Sequence, residues 1–373
     1  MSLRIFHTGD LHIGLRYTRY PERVRERLTE ARIQVLEQMV NKANEAEAAL
    51  FVIAGDLFDH HNVAARTVQR VQKILDTFAG ALVLVLPGNH DFQDGMQNLW
   101  TNLQQSDTGK IMVLDTMAPV NLEYYGVPAV IYPCPCDRKH SDQNNLGWIR
   151  KLSSRPDARW HIGLAHGALQ GLSPDPDMQY FTMSIQELKA CNLDLWLLGH
   201  THIPYPSGDT VQGEQIFNAG TPEPDGMDCQ HEGSAWLIEI NEEKQVTARR
   251  VPTGQYRFRD VAEVLHGEED LAALVSSYTQ DKAENTLVRL SLSGSLEQEV
   301  RQQLQETLDQ IQQALLYLTY DDSLLMTRVT PELIQQEFSE GSFPQRFLTT
   351  LQEQGHEQAL QMAYELIREV KGP

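Results

Sequence analysis

Short apolar runs recur through the first two hundred positions, each closed by a polar turn: LRIF at 3–6, ALFVI at 49–53, LVLVL at 82–86, WHIGL at 160–164 and LWLL at 195–198. Their length and their uninterrupted apolar content predict buried strands. Between the first two, Val24, Leu28, Ala31, Val35, Met39 and Ala43 fall three to four residues apart. That spacing predicts a helix from about 22 to 46 with one apolar face. A strand at 49–54, a helix at 64–78 and a strand at 82–86 continue the alternation, which argues for layered α/β sheets. Short strands follow in KIMVL, VNLEYY and PAVIYP, then strands and helices alternate to His202. QIFNAG, SAWLIEI and QVTARRV predict a β-rich close.

The pattern changes at Pro252-Thr253-Gly254, which reads as a hinge after a first domain of residues 1–252. Beyond it, TLVRLSL alternates as a strand with Val288, Leu290 and Leu292 on one side. A helix is predicted over 296–318, striped by Leu296, Val300, Leu304, Leu308, Ile311, Leu315 and Leu318. A strand at SLLMTRV completes a small βαβ-like domain, 253–330. Helices started by Pro331 and Pro344 fill 331–373. There, Ile334, Phe338, Phe343, Phe347 and Leu351 are spaced either to dock in a partner's groove or to pack back on this chain's own small domain.

Composition sets bounds on these elements. At 373 residues, 41% hydrophobic, the chain suits two soluble domains. No apolar run reaches membrane-spanning length, and the first residues enter a strand without a signal-peptide pattern. Cys134, Cys136, Cys191 and Cys229 form neither a disulfide framework nor a zinc spacing, which fits reduced cysteines in a cytoplasm. No GxxxxGK[ST] phosphate loop is present. The net charge is −20, with 22 basic and 31 acidic residues up to 252 and 9 against 20 after it. Such a surface repels polyanions unless metals, a basic patch or a basic partner intervene. Arg16 and Arg19, with Tyr17 and Tyr20 between and beside them, are the candidate patch for phosphate contact and base stacking.

Seven polar residues in five segments sit just past predicted strands: Asp10 and His12 in TGDLH, Asp56 in AGDLFD, Asn89 in PGNHD, His166 in LAHG, and His200 and His202 in LGHTH. Each segment alone is unremarkable, since GD often marks a turn and a lone histidine is usually solvated or packed. Together, and always after a strand, they form a ligand set of oxygens and nitrogens without thiolate, suited to manganese, iron or zinc. Two cations about 3.5–4 Å apart neutralise a phosphoester, lower the pKa of bound water and align in-line attack. Holding like charges that close needs a shared anion, and Asp56 is the natural bridge. Asp10, His12 and His202 would complete one ion, and Asn89, His166 and His200 the other. His90, next to a ligand, is placed to protonate the leaving oxygen. Asp59 would orient a ligand from behind.

The ordered set D-x-H, GD-x-x-D, GNHD, a lone histidine and GH-x-H resembles the signature of calcineurin-like metallophosphoesterases over about residues 1–250. HTGDLHIG, AGDLFD, LPGNHD, LGHTHIP, FNAGTPEP and EGSFPQRFL resemble the DNA repair exonuclease branch, with its SbcD-like and YhaO-like nuclease subunits. The resemblance implies a four-layer α/β/β/α core, a small C-terminal α+β capping domain and terminal helices. It also implies two divalent ions, manganese foremost, exonuclease or endonuclease action on DNA, an SbcC-like SMC-type ATPase partner and a homodimer, with no membrane association. Many archaeal and eukaryotic relatives carry histidine where this chain has Asp59, whereas SbcD-like proteins carry aspartate. The alternatives are a metallophosphatase or cyclic-nucleotide phosphodiesterase, or a non-catalytic repair scaffold.

Overall fold

The computed structural model describes residues 2–93, 99–172, 177–280 and 283–371. The chain forms two compact units, 1–257 and 258–373. Their boundary lies a few residues past the Pro252–Gly254 break because the chain there is still tied to the first unit. Thr253 N–H donates to the Gly233 carbonyl, and the N–H groups of Gln255 and Tyr256 donate to the Glu223 carboxylate.

Two sheets build the first unit. The larger has strand order 111–113, 82–86, 50–54, 3–8, 234–240, 246–252, 210–212. Its first four strands are parallel and the rest antiparallel. The smaller runs 216–218, 195–199, 160–166, 129–134, 120–121, parallel except for the last pair. Strand period sorts the side chains. Phe6, Phe51, Ile53, Val83 and Val85 face the helices Glu22–Glu45 and Ala65–Asp76. Ile5, Val52, Leu84 and Trp236 face Ile131, Ile162 and Leu197 of the other sheet. Val130, Tyr132, Trp196 and Leu198 face the helices around Ile149 and Leu188. The layers are therefore α/β/β/α. Each fully buried large side chain contributes about 1.5–3 kcal/mol, so the inter-sheet layer holds the shared rim rigid. The six apolar residues predicted for the first helix are all buried. No described helix is long and apolar enough to cross a membrane.

The second unit is a three-stranded sheet, 257–265, 286–296, 317–327, with helices Glu268–Tyr278 and Gln298–Ala314 over one face. Three features depart from the sequence reading. The long helix ends at Ala314, not 318, because Leu315 turns extended and Tyr317–Thr327 pairs in parallel with Thr286–Leu296. Leu296 and Leu318 are thus strand residues. The strand Arg257–Leu265 and the helix after it carried no clear period, since charged residues alternate along the half-exposed strand. Among the terminal helices, where a partner's groove and the small domain were both open, Ile334 and Phe338 pack with Leu333, Leu348, Leu360 and Tyr364 of those helices themselves. Phe343 and Phe347 stay exposed and stack on each other at 5.7 Å. Met362, Leu366 and Val370, one turn apart on the last helix, are exposed as well.

Candidate metal centre

All seven predicted ligands lie at the C-terminal ends of parallel strands, and the two sheets share them. The larger sheet presents Asp10, His12, Asp56 and Asn89; the smaller presents His166, His200 and His202. The turn geometry is strained where the ligands sit: Asp10, His12, Asp56 and His200 have φ of 54°, 46°, 51° and 95°. Non-glycine residues hold this region only when the surroundings over-determine it. Backbone bonds supply that constraint, with Asp10 N–H donating to Gly55, His12 to Asp56 and Ile13 to Leu57. The sheets are stitched by His166 Nδ1, which donates to the Ala54 carbonyl at 2.8 Å, and by the His200 N–H on the Asp10 carboxylate at 3.0 Å. Gly55, Gly88 and Gly199 leave the room: a Cβ there would lie 2.0 Å from His166 Nδ1, 2.2 Å from Asp56 Oδ1 and 2.0 Å from the Ala54 oxygen.

The donor atoms meet at distances that need a proton or a cation between them. His12 Nε2 and His202 Nε2 are 3.2 Å apart, while their other nitrogens face Asp59 at 3.5 Å and Asp225 at 2.9 Å. Two imidazole lone pairs so placed repel unless a proton or a cation lies between them. Asn89 Oδ1 faces both His166 Nε2 and His200 Nδ1 at 3.0 Å, and Asp56 Oδ2 lies 3.3 Å from His166 Nε2 and 3.6 Å from His12 Nε2. Asn89 Nδ2 is buried without a hydrogen-bond partner among the described residues. Asp10, His12 and His202 form one group able to hold an ion, and Asp56, His166 and His200 another. The residues fit a pair of divalent cations with Asp56 between them.

Titration follows from the same crowding. Burial alone would raise the Asp56 pKa, but His166, His12 and His90 reverse this and hold it well below the usual carboxylate range. Burial opposes protonation of His166 and His202, yet the carboxylates Asp56 and Asp225, respectively, hold each up at about 9. Burial pushes His200 down to about 3, aided by the charge on His166.

His90 is the most open of the group. Its Nδ1 donates to the Asp59 carbonyl at 3.0 Å, its backbone N–H donates to Asp56 Oδ1 at 2.9 Å, and its ring meets His12 edge-on at 4.7 Å. It also falls within ligand reach beside His12 and Asp56. Asp59 sits between His12 and His90. Arg16 and Arg19 are exposed on the loop after His12, and Arg16 lines a cleft of about 560 Å³ with Arg25, Thr29 and Glu30. Tyr17 is not available for base stacking: it is buried, with its hydroxyl on Arg32.

Several residues of the site escaped the sequence reading. Asp91, the last residue of GNHD, is buried and accepts N–H bonds from Gly88 and Phe58 at 2.7 and 2.9 Å. Burial, with help from Asp56, pushes its carboxyl up to about 8. Tyr180 stacks on His200 at 5.0 Å, and Asp225 meets His202. For Asp91 the motif itself was the signal; for the other two there was none.

Residues 3–204, more than half of the chain, match the calcineurin-like phosphoesterases, and the protein belongs to that family. These are metal-dependent phosphoester hydrolases. An uncharacterized metallophosphoesterase, YhaO of Bacillus subtilis, is 26% identical over 210 residues, covering 54% of this chain and 49% of its own. The DNA double-strand break repair protein Mre11 of Methanopyrus kandleri is 24% identical over 242 residues, covering 60% and 49%. The chain thus spans about half the length of these curated relatives. Among solved structures, TT1561 of Thermus thermophilus aligns over 66% of this chain and 98% of its own, with 13% identity and a TM-score of 0.41. A dimetal phosphatase from Danio rerio covers the same shares at 12% identity and a TM-score of 0.37.

Proposed function

We propose that the protein is a two-metal phosphodiesterase that cuts DNA as an exonuclease or endonuclease in repair, with manganese as its working ion. The observation that carries the reading is the position of Asp56, whose carboxylate lies between the two histidine groups at 3.3 and 3.6 Å. When bound, the cations supply charge neutralisation and an activated water. The chain's own residues do the rest. Asp56 would be shared, Asp10, His12 and His202 would hold one ion, and Asn89, His166 and His200 would hold the other. His90, with Nδ1–H committed to the Asp59 carbonyl, leaves Nε2 for the leaving oxygen, to which the ring would pass a proton from its imidazolium form. Asp59 orients His12. DNA as substrate is supported by the similarity to Mre11 and by the exposed Arg16 and Arg19 on the loop that follows His12.

The acidic balance fits a nuclease that does not recruit DNA unaided. The second unit is the more acidic and exposes Phe343, Phe347, Met362, Leu366 and Val370, a surface suited to an SbcC-like SMC-type ATPase that brings basic surface to the complex. The net charge of −20 equally favours a small phosphodiester over a polymer as the unaided substrate. Purified protein with Mn²⁺ or with chelator, given labelled linear duplex, single-stranded DNA and bis(p-nitrophenyl) phosphate, tests both. Metal-dependent cleavage of DNA is expected. Turnover of the small diester alone, even with the ATPase added, would overturn the nuclease reading, and no turnover of either would overturn the catalytic one.

A further inference from the structure

The helix Glu22–Glu45 carries a cation that phosphoester chemistry does not call for. Arg32 is 1% exposed, and a guanidinium is tolerated there only if its donors are paired. Nε donates to the Tyr17 hydroxyl at 2.8 Å, Nη1 to the Leu11 carbonyl at 2.7 Å and Nη2 to the Glu223 carbonyl at 3.1 Å. These bonds pin three segments directly behind Asp10, His12 and His202. Asp225 faces the guanidinium as a countercharge, its Oδ2 3.8 Å from Nη2, and the Glu223 carboxylate adds a weaker one. The same Asp225 oxygen takes the Nδ1–H of His202 at 2.9 Å.

We propose that Asp225 is a positioning residue for the ion held by Asp10, His12 and His202, and that Arg32 holds Asp225 in place. The inference rests on the two-ion reading above. A carboxylate on one nitrogen of an imidazole fixes its tautomer, aims the other nitrogen and raises its basicity. His202 has one orientation in which Nε2 faces His12 Nε2, and the Asp225 contact selects it. The second group is oriented differently: His166 by the Ala54 carbonyl, and His200 by the Tyr180 ring. Removing Asp225 therefore weakens one ion and leaves the other. Arg32 supports the arrangement by placing a fixed cation 3.8 Å from the same carboxylate oxygen that takes the His202 Nδ1–H, which keeps Asp225 aimed at that ring.

The test is a Mn²⁺ titration by calorimetry on the metal-stripped full chain, with metal content checked by mass spectrometry. Asp225→Ala should lower the affinity of one of two equivalents about 10–100-fold and leave the second unchanged. Asp225→Asn keeps an oxygen for the Nδ1–H and should fall between wild type and alanine. Asp228→Asn removes one charge from the exposed part of the same segment and should bind both ions as wild type does. If Asp225→Ala melts early, the nearly isosteric asparagine variant decides. Wild-type affinity for both equivalents in that variant overturns the inference, and so does an equal loss of both. Failure of the underlying reading looks different: wild-type protein would then bind fewer than two ions before any residue is changed.

Discussion

Replacing Gly88 by alanine tests the shared carboxylate through geometry alone. Gly88 has no left-handed φ, so its substitution carries no backbone strain and the added methyl is the whole perturbation. That Cβ would lie 2.2 Å from Asp56 Oδ1 and 2.4 Å from the Asp56 backbone nitrogen, where ordinary contact begins near 3.4 Å. The overlap is about 1 Å, and rotating the Asp56 side chain cannot relieve the part that falls on backbone. Neither side yields easily. The Gly88 N–H is held by Asp91 at 2.7 Å, and Asp56 Oδ1 by the His90 N–H at 2.9 Å. Overpacking of this kind costs about 1–3 kcal/mol of stability, a drop of several degrees in melting temperature for a unit of this size. Function should suffer more, because a misplacement of about 1 Å costs roughly 100-fold in rate.

Two further glycines calibrate the result. At Gly147 a Cβ meets nothing within 4 Å, so alanine there should change neither melting nor metal content. At Gly163 a Cβ would lie 2.3 Å from the Trp196 ring, away from the ligands, so alanine should lower stability while the folded protein keeps both ions. Mn²⁺ stoichiometry and turnover of bis(p-nitrophenyl) phosphate are read at a temperature where all three variants are folded. Gly88→Ala with wild-type stoichiometry and turnover would show that Asp56 is not the bridge. Equal metal loss in Gly163→Ala would show that the site merely reports general destabilisation.

The remaining predictions concern the acid, the exposed helix and a buried histidine. His90→Gln should keep both ions and lose about 10²–10⁴ in turnover; loss of an ion instead would make His90 a ligand. Leu366→Asp with Val370→Asp, both at exposed positions, should leave melting and small-diester turnover unchanged and abolish co-purification with an SbcC-like ATPase. Intact association would remove that helix from the interface. His7 is fully buried, and burial pushes its pKa from 6.5 down to about 3, offset only in part by a weak backbone hydrogen bond at Leu198. Because the unfolded chain binds this proton first, His7 costs nothing above pH 6.5 and about 1.4 kcal/mol per pH unit below it, down to about pH 3. His7→Leu should flatten the acid limb of stability against pH by that slope, and an unchanged limb between pH 6.5 and 4 would refute the assignment.

The layered core and the candidate ligand set were legible for separate reasons. Parallel strands buried on both faces have to be continuous apolar runs, so 82–86 was readable to the residue. Metal chemistry restricts the residue types that can follow such runs, and Asp10, His12, Asp56, Asn89, His166, His200 and His202 stand out because they interrupt the pattern where strands end. The second unit was less legible. An amphipathic period tells which residues share a face but not whether that face finds a partner. Ile334 and Phe338 therefore looked much like Phe343 and Phe347, although only the first pair is buried.

Arg32 marks the limit of what a periodic reading recovers. It sits beside Ala31 on the edge of an apolar stripe, where an arginine is ordinarily taken to reach for water. Its partners come from Tyr17, Leu11 and Glu223, separated from it by 15, 21 and 191 positions. No local pattern contains a contact of that span. The left-handed backbone at Asp10, His12, Asp56 and His200 is hidden for the same reason, since none of these residues prefers it and the constraint comes from bonds between strands of two sheets. Sequence thus exposes the atoms that chemistry needs, because chemistry restricts residue type. It conceals the atoms that aim them, because aiming can be done by any group that the fold brings within reach. Asp225, an unexceptional acidic residue in a proline-rich turn, belongs to the second kind.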